Sequence, residues 1–280
     1  MKRRFKYLFL IMVLPLIFLT GCSKKNNKFK QSTTPTIFFH GLGSSYHAQQ
    51  HMVQAVEKAG VTNQVIRANV DMNGKVTLIG EWKKDAINPI CEVNYQNNYN
   101  LNYELYGQYA TNVVKALQKR YGIKKMNMVG HSAGNMSIIY YMLKNGKNKE
   151  MPQLQKQVDI AGPFAGLKFS WLPLDIVEPD GLKLNSEGKP NKINLTYREM
   201  MGVRKTYPKN QVEVLNIVGD IGHHTDGRVS NASTLALKYL VADRAKTYRV
   251  VNFSGPNAQH SKLHRNNKVD KVLIDFLWKK

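Results

Sequence analysis

The chain has 280 residues with a formal net charge of +22, and 42% of its residues are hydrophobic. This length and composition suit one folded domain with a large core and exclude a disordered chain. Its two cysteines, Cys22 and Cys91, are too few for a disulfide-stapled fold. The lysines and arginines are scattered and accompany no nucleic-acid-binding motif, so we expect no nucleic-acid partner. The charge instead suits anionic envelope polymers and lipids.

Residues 1–21 have the pattern of a signal peptide. A basic start precedes an apolar run over 7–19 that is too short to span a bilayer comfortably. Leu19-Thr20-Gly21-Cys22 then resembles a bacterial lipoprotein cleavage site, after which Cys22 receives lipid. An uncleaved anchor helix and an ordinary secretion signal are the alternatives. We predict an extracytoplasmic protein anchored to the cell membrane by lipid on Cys22, with a flexible, basic tether over 22–34.

Strand-like and helix-like segments alternate along residues 35–280, which we predict to form one domain. Apolar runs predict strands at 36–39, 65–70, 75–79, 89–95, 125–129, 157–161, 212–218 and 249–253. Helical periodicity is clearest over 106–117, and further helices are expected near 52–59, 136–143, 233–240 and 269–277. Asn73-Gly74 predicts a hairpin turn. The alternation predicts an α/β fold, a mostly parallel sheet with helices on both faces.

A G-x-S-x-G pentapeptide, Gly130-His131-Ser132-Ala133-Gly134, lies between a predicted strand and a predicted helix. In that context the pattern is typical of a nucleophile elbow, a sharp turn that exposes a serine in a strained conformation. The flanking glycines suit a turn too tight for side chains. The sequence therefore predicts that Ser132 is a catalytic nucleophile.

A serine nucleophile needs a histidine base and an acid that orients it, on loops after later strands. Asp220 and Asp226 both follow the predicted strand 212–218. We favour Asp226, because an Asp-Gly-x-Val turn lets a loop carboxylate reach back toward the histidine, and Asp220 stays open as the alternative. His260 lies between the last strand and the last helix, so it is the predicted base. His264, closer to that helix, is the alternative.

The anionic tetrahedral intermediate of such a reaction needs backbone N–H donors. We expect one from Ala133, which follows the nucleophile, and one from Leu42 in the glycine-rich segment His40-Gly41-Leu42-Gly43. This chemistry needs no cofactor. His223-His224 beside two aspartates suggests a metal site as a minor alternative. Adjacent histidines point in different directions and no spaced ligand set accompanies them, so we predict no metal.

Residues 164–209 show little regular periodicity and form a candidate lid insertion. Long mixed segments of this kind are often functional. Three of its apolar residues are possible acyl-pocket contacts, Trp171, Leu172 and Leu174. They favour an ester with an apolar acyl group.

Four segments carry a family resemblance, namely 39–43, 130–134, 226–229 and 260–264. They resemble the signatures of the α/β-hydrolase superfamily. More narrowly, nearly the whole chain after the signal peptide resembles the cell-surface α/β-hydrolases of Gram-positive bacteria, a family of unknown function. The resemblance implies a serine-hydrolase fold and a triad of Ser132, Asp226 and His260. It implies no substrate.

Together these patterns predict a membrane-anchored serine hydrolase, a carboxylesterase or lipase-like esterase acting through an acyl-enzyme. Its expected partners are a small-molecule or lipid ester and the membrane that holds its lipid anchor. The alternative is a non-catalytic surface lipoprotein that binds anionic wall polymers on the same scaffold. Fold alone does not distinguish the two.

Overall fold

The computed structural model describes residues 28–169 and 171–280. The predicted signal peptide and Cys22 lie outside the described residues. The strands are β1 (Thr36–Phe39), β2 (Val65–Val70), β3 (Val76–Ile79), β4 (Ile90–Tyr95), β5 (Lys125–His131), β6 (Gln153–Ile160), β7 (Glu213–Asp220) and β8 (Thr247–Ser254). They form one sheet in the order β3-β2-β4-β1-β5-β6-β7-β8. Every pairing is parallel except that of β2 with β3, so the predicted α/β fold is confirmed.

The helices fill most connections between strands. They are α1 (His47–Lys58), α2 (Tyr103–Tyr121), α3 (Gly134–Asn145), α4 (Leu195–Met200), α5 (Val203–Thr206), α6 (Asn231–Leu235), α7 (Leu237–Val241), α8 (His260–Leu263) and α9 (Asn267–Trp278). Local chemistry sets the ends of α2: the Asn102 side chain accepts the N–H groups of Glu104 and Leu105, and Gly122 ends the helix at φ 64°. The helix predicted near 233–240 is two helices, α6 and α7, joined at Ala236. In the described part of the chain, no helix is both long and apolar enough to cross a membrane.

The sheet carries a hydrophobic core on each face. Successive residues of β1 alternate between the two cores, with Ile37 and Phe39 in one and Phe38 in the other. Helices α2 and α3 contribute to the first core, while α1 and α9 contribute to the second. Each fully buried side chain of this size stabilises the fold by about 1.5–3 kcal/mol. The cores hold the central parallel strands rigidly, so the loops at their ends have fixed positions.

Residues 28–34, predicted to be the end of a flexible tether, pack against the domain. Phe29 is only 4% exposed and belongs to the core beneath α9. The Lys30 N–H donates to the Trp278 carbonyl at 2.8 Å, and the Asn88 N–H donates to the Ser32 carbonyl at 2.6 Å. The tether prediction is therefore wrong for these residues, because apolar burial and backbone hydrogen bonds hold them. All described strands, helices and cores lie after residue 27, so a chain starting at Ser23 keeps all these contacts.

Most of the predicted lid, 164–209, is part of the domain body. Phe164, Tyr197 and Tyr207 are fully buried in the core that also contains α3. Backbone bonds between Leu167 and the 176–178 segment close a short loop within the insertion. The prediction of a lid over the whole range is wrong, because the insertion supplies core side chains. Two of its exposed apolar residues, Trp171 and Leu174, lie within that short loop.

Candidate active site

The pentapeptide around Ser132 forms a sharp turn between β5 and α3. Ser132 has φ 54°, a left-handed conformation that is costly for a residue with a side chain. A Cβ on Gly130 would lie 2.6 Å from the Asn135 side-chain oxygen, and one on Gly134 would lie 2.3 Å from the Phe39 carbonyl oxygen. The two glycines therefore allow the close approach that the turn needs. This is the elbow geometry that the sequence predicts.

A chain of two hydrogen bonds joins three of the predicted site residues. Ser132 Oγ lies 2.8 Å from His260 Nε2, and His260 Nδ1 lies 2.7 Å from Asp226 Oδ2. All three residues are buried, with Ser132 the most accessible at 7% exposure. Because a carboxylate accepts hydrogen bonds, the imidazole Nδ1–H points to Asp226 and leaves Nε2 free to accept the serine proton.

The loop after β7 fixes Asp226 and leaves Asp220 elsewhere. The other oxygen of Asp226 accepts the N–H groups of Arg228 at 2.9 Å and Val229 at 2.8 Å. The His260 N–H donates to the Asp226 carbonyl, so backbone contact also ties the two loops together. Asp220 instead accepts from the Gly222 N–H and the Asn231 amide, and those bonds lower its carboxyl pKa.

His264, the alternative base, packs against His131 with ring centroids 4.6 Å apart, and the imidazole that is hydrogen-bonded to Ser132 is that of His260. Burial lowers its pKa to about 4, so the imidazole is neutral near pH 7. His131 is also buried and its pKa lies well below the usual value, first because of burial and then because of His264 and His260 nearby. Its Nε2–H donates to the His260 carbonyl at 3.0 Å. His131 therefore positions the backbone of His260, whose imidazole is hydrogen-bonded to Ser132.

Leu42 and Ala133 have backbone N–H groups that suit an anion beside Ser132. Within the described residues, neither N–H donates a hydrogen bond to the protein. Ala133 precedes the first residue of α3, where the helix dipole favours negative charge. A Cβ on Gly41 would lie only 2.9 Å from the Ser132 Cβ, so the Leu42 segment passes directly over the serine.

His40 holds this segment in place. The Tyr95 N–H donates to His40 Nε2 at 3.0 Å, so the proton is on Nδ1, which donates to the Gly41 carbonyl at 2.8 Å. That bond orients the peptide whose other end is the Leu42 N–H. Burial lowers the pKa of His40 to about 4 and keeps it neutral. The sequence pattern does not mark His40 or His131 as positioning residues, and their only signal is that each lies next to a segment with a predicted site residue.

The three predicted acyl-pocket residues differ in environment. Leu172 is 6% exposed and packs into the core, so its side chain holds the insertion against the domain. Trp171 and Leu174 are 69% and 86% exposed. Trp171 stacks near Phe169, and the Arg228 guanidinium lies 5.8 Å from the Phe169 ring centre. The exposed apolar loop thus adjoins the loop that carries Asp226.

The His223-His224 pair lies outside this hydrogen-bond chain. His224 Nδ1 is 3.7 Å from Asp220 and its side chain is almost fully exposed. Across residues 28–169 and 171–280, no group of three or more histidine, cysteine or acidic residues has an arrangement that could hold a metal ion.

Comparison of the chain with known protein families identifies a matching family. The family described as "Alpha/beta hydrolase of unknown function (DUF915)" matches residues 23–280. The chain belongs to this family. The match spans every described strand and helix, so the resemblance predicted from the short motifs is confirmed.

Two solved structures are similar to this α/β hydrolase. A Listeria innocua protein is 26% identical, with a TM-score of 0.76 over 88% of this chain and 94% of its own. A candidate cell surface hydrolase from Lactobacillus plantarum is 19% identical, with a TM-score of 0.68 over 87% of this chain and 91% of its own. The second likeness shows the fold alone. A comparison with curated proteins found no match.

Proposed function

We propose that this α/β hydrolase is a membrane-anchored serine hydrolase that cleaves carboxylic esters through an acyl-enzyme. The observation that carries the proposal is the hydrogen-bond chain from Ser132 Oγ through His260 to Asp226, at 2.8 and 2.7 Å. The free N–H groups of Leu42 and Ala133 beside the serine support it. A binding protein needs none of these groups in this arrangement.

In the proposed reaction, Ser132 Oγ attacks the ester carbonyl carbon while its proton moves to His260 Nε2. The carbonyl oxygen becomes an oxyanion, which the Leu42 and Ala133 N–H groups stabilise. The intermediate collapses, the ester C–O bond breaks, and the leaving alcohol takes the proton from His260. Water then attacks the acyl-enzyme with His260 as base, which releases the acid and restores Ser132. Asp226 holds the required tautomer and stabilises the imidazolium.

Labelling with a fluorophosphonate probe tests the nucleophile. The chain from Ser23 to Lys280 should label, and the Ser132→Ala variant should not. Ser137→Ala is a matched control, because Ser137 is a second buried serine, hydrogen-bonded to Tyr95 at 2.8 Å and on α3. Absence of labelling in a folded wild-type protein would contradict the proposal and favour a scaffold that binds wall polymers.

The acyl preference is proposed from the exposed pair Trp171 and Leu174. A nitrophenyl ester series from acetate upward should show kcat/KM rising with chain length. Trp171→Ala should reduce kcat/KM for long chains more than for acetate. Ile79→Ala, an exposed apolar residue on β3, is the control and should change neither. Equal losses on both esters in Trp171→Ala would count against acyl contact.

The proposed anchor is a lipid on Cys22, supported by the sequence pattern alone. The full chain expressed in a bacterium should partition into the detergent phase, while Cys22→Ala should partition into the aqueous phase or stay uncleaved. A Cys22→Ala protein that is cleaved to the wild-type size and still partitions like wild type would contradict the anchor and leave the hydrolase proposal untouched.

A further inference from the structure

A cleft of about 620 Å³ opens at the edge of the sheet opposite Ser132. Its walls are residues 81–86 before β4, residues 120–125 before β5, and Thr33 and Thr34 before β1. Because these strands are parallel, all three segments lie where the strands begin. We call this side the amino edge, and we call the side that carries Ser132 the carboxyl edge.

The cleft is basic. Lys83, Lys84, Lys124 and Lys125 line it and are exposed, and none of them forms an ion pair with any described residue. The fifth cation, Arg120, pairs with Glu81, which leaves Asp85 as the one other acid among the lining residues. The unpaired cations exceed the unpaired acids by three. Such a surface suits an anionic ligand.

The cleft walls are firmly built. The Trp82 ring lies 4.5 Å from the Tyr121 ring, and its indole N–H donates to the Ile90 carbonyl at 3.1 Å. Thus an aromatic pair, the buried Trp82 and the half-buried Tyr121, joins the two segments that carry the lysines. The lysines therefore have a common, fixed base from which their flexible side chains reach outward.

The predicted anchor enters the domain beside this cleft. The segment through Lys30 and Ser32 is hydrogen-bonded to Asn88, next to the cleft-lining Pro89. From Cys22 to Lys28 there are six residue steps, which span at most about 21 Å when extended. With lipid on Cys22, the amino edge must therefore stay close to the bilayer.

We propose that the amino-edge cleft docks on the anionic lipid headgroups of the bilayer that holds the anchor. Its free lysines then lie within about a Debye length, 8 Å, of the headgroup phosphates. Strand β5 runs from Lys125 at the cleft to His131 beside the serine, and six steps of about 3.3 Å place Ser132 roughly 20 Å farther from the membrane.

This orientation narrows the substrate class. The carboxyl edge faces away from the anchoring bilayer, so Ser132 meets esters that are dissolved or carried in the surrounding envelope and not the lipids of that bilayer. The docking proposal rests on the proposed Cys22 anchor for its direction and does not rest on hydrolysis. Membrane binding and ester hydrolysis can thus fail separately.

Sedimentation with vesicles tests the docking. The chain from Ser23 to Lys280, which lacks the lipid, should bind phosphatidylglycerol vesicles at low salt and lose this binding at high salt. It should not bind vesicles of pure phosphatidylcholine. Each lysine near an anionic surface strengthens binding roughly fivefold, so replacing all four with glutamine should weaken it several hundredfold. Hydrolysis of a soluble nitrophenyl ester should stay unchanged.

A matched variant keeps the test specific. It removes four other exposed lysines that do not line the cleft, Lys75, Lys183, Lys189 and Lys192. Its net charge equals that of the cleft variant, yet its binding should stay near wild type. Equal losses in both variants, or no loss in the cleft variant, would overturn the proposal. Tighter binding to a soluble poly(glycerol phosphate) than to the vesicles would also overturn it, in favour of a polymer ligand.

An environment-sensitive dye reports the orientation directly. Cys91 is the free thiol of the described residues and is buried, so an introduced cysteine takes the label. Dye on Thr33→Cys, at the cleft, should change its emission when anionic vesicles are added. Dye on Lys75→Cys, across the sheet, should not. A response at Lys75 alone would reverse the proposed orientation.

Discussion

Gly41 is the sharpest single position at which to test the site. Its backbone φ lies outside the left-handed region, so alanine can adopt it without backbone strain. The added Cβ would lie 2.9 Å from the Ser132 Cβ and 3.4 Å from its Oγ. Ordinary carbon contacts are about 3.5–4.0 Å, so the serine or the Leu42 segment must move by roughly 0.6–1 Å.

A displacement of about 1 Å at reacting groups lowers rates roughly 100-fold. We therefore expect Gly41→Ala to lose about two orders of magnitude in kcat/KM on a soluble nitrophenyl ester, which is about 2.7 kcal/mol. The rate of fluorophosphonate labelling should fall in parallel, because the probe also needs Ser132 and the oxyanion donors. The loss should be larger than any change in the folded fraction at the assay temperature.

Gly202→Ala is the control for overpacking alone. Its Cβ would lie 2.7 Å from the Leu143 Cδ1, a methyl group that can move, and it has no contact with Ser132. It should cost some unfolding free energy in urea and leave kcat/KM near wild type. Wild-type kcat/KM in Gly41→Ala would refute the reasoning, as would a loss that matches the unfolded fraction in both variants.

The remaining predictions concern the two candidate triad acids, Asp226 and Asp220, and the buried Asp159. Asp226→Asn should lower kcat about 10⁴-fold, because it disfavours the required His260 tautomer, whereas Asp220→Asn should cost less than tenfold; steady-state kinetics of both variants decide this. Burial raises the pKa of Asp159 to about 8. The folded state therefore binds this proton more tightly than the unfolded state, and unfolding free energy falls as pH rises from about 4 to 8, by up to about 1.4 kcal/mol per unit. Urea unfolding at pH 6.5 and 8 should show Asp159→Asn gaining stability relative to wild type at the higher pH, and an unchanged difference would argue against a neutral Asp159.

The elbow and its loops could be predicted because their chemistry is local. A strand, two flanking glycines and a helix specify the Ser132 turn without reference to the rest of the chain. The choice between Asp226 and Asp220 depended on where the loop after β7 folds. The path of this loop is fixed by three hydrogen bonds to Asp226, two from neighbouring backbone N–H groups to its side chain and one from the His260 N–H to its carbonyl. The bond from His260 joins segments that are far apart in the sequence.

The features that the sequence pattern does not reveal depend on tertiary contacts. Phe29 stands alone in a polar segment, and a single apolar residue gives no periodicity to mark its burial against α9. Leu172 lies between exposed neighbours yet packs inward, which only the folded insertion determines. The roles of His40 and His131 depend on partners 55 and 129 residues away.

The polarity of the parallel sheet gives the two proposed surfaces their independence. The carboxyl edge carries the candidate triad, and exposed Tyr99, Trp171 and Ile221 lie on loops that follow β4, β6 and β7. The amino edge carries the free lysines and the entering chain. Since rigid strands about 20 Å long separate the two, removing charge at the cleft cannot relax the serine turn. A cleft variant that lost vesicle binding and soluble-ester hydrolysis together would therefore contradict this division of the fold.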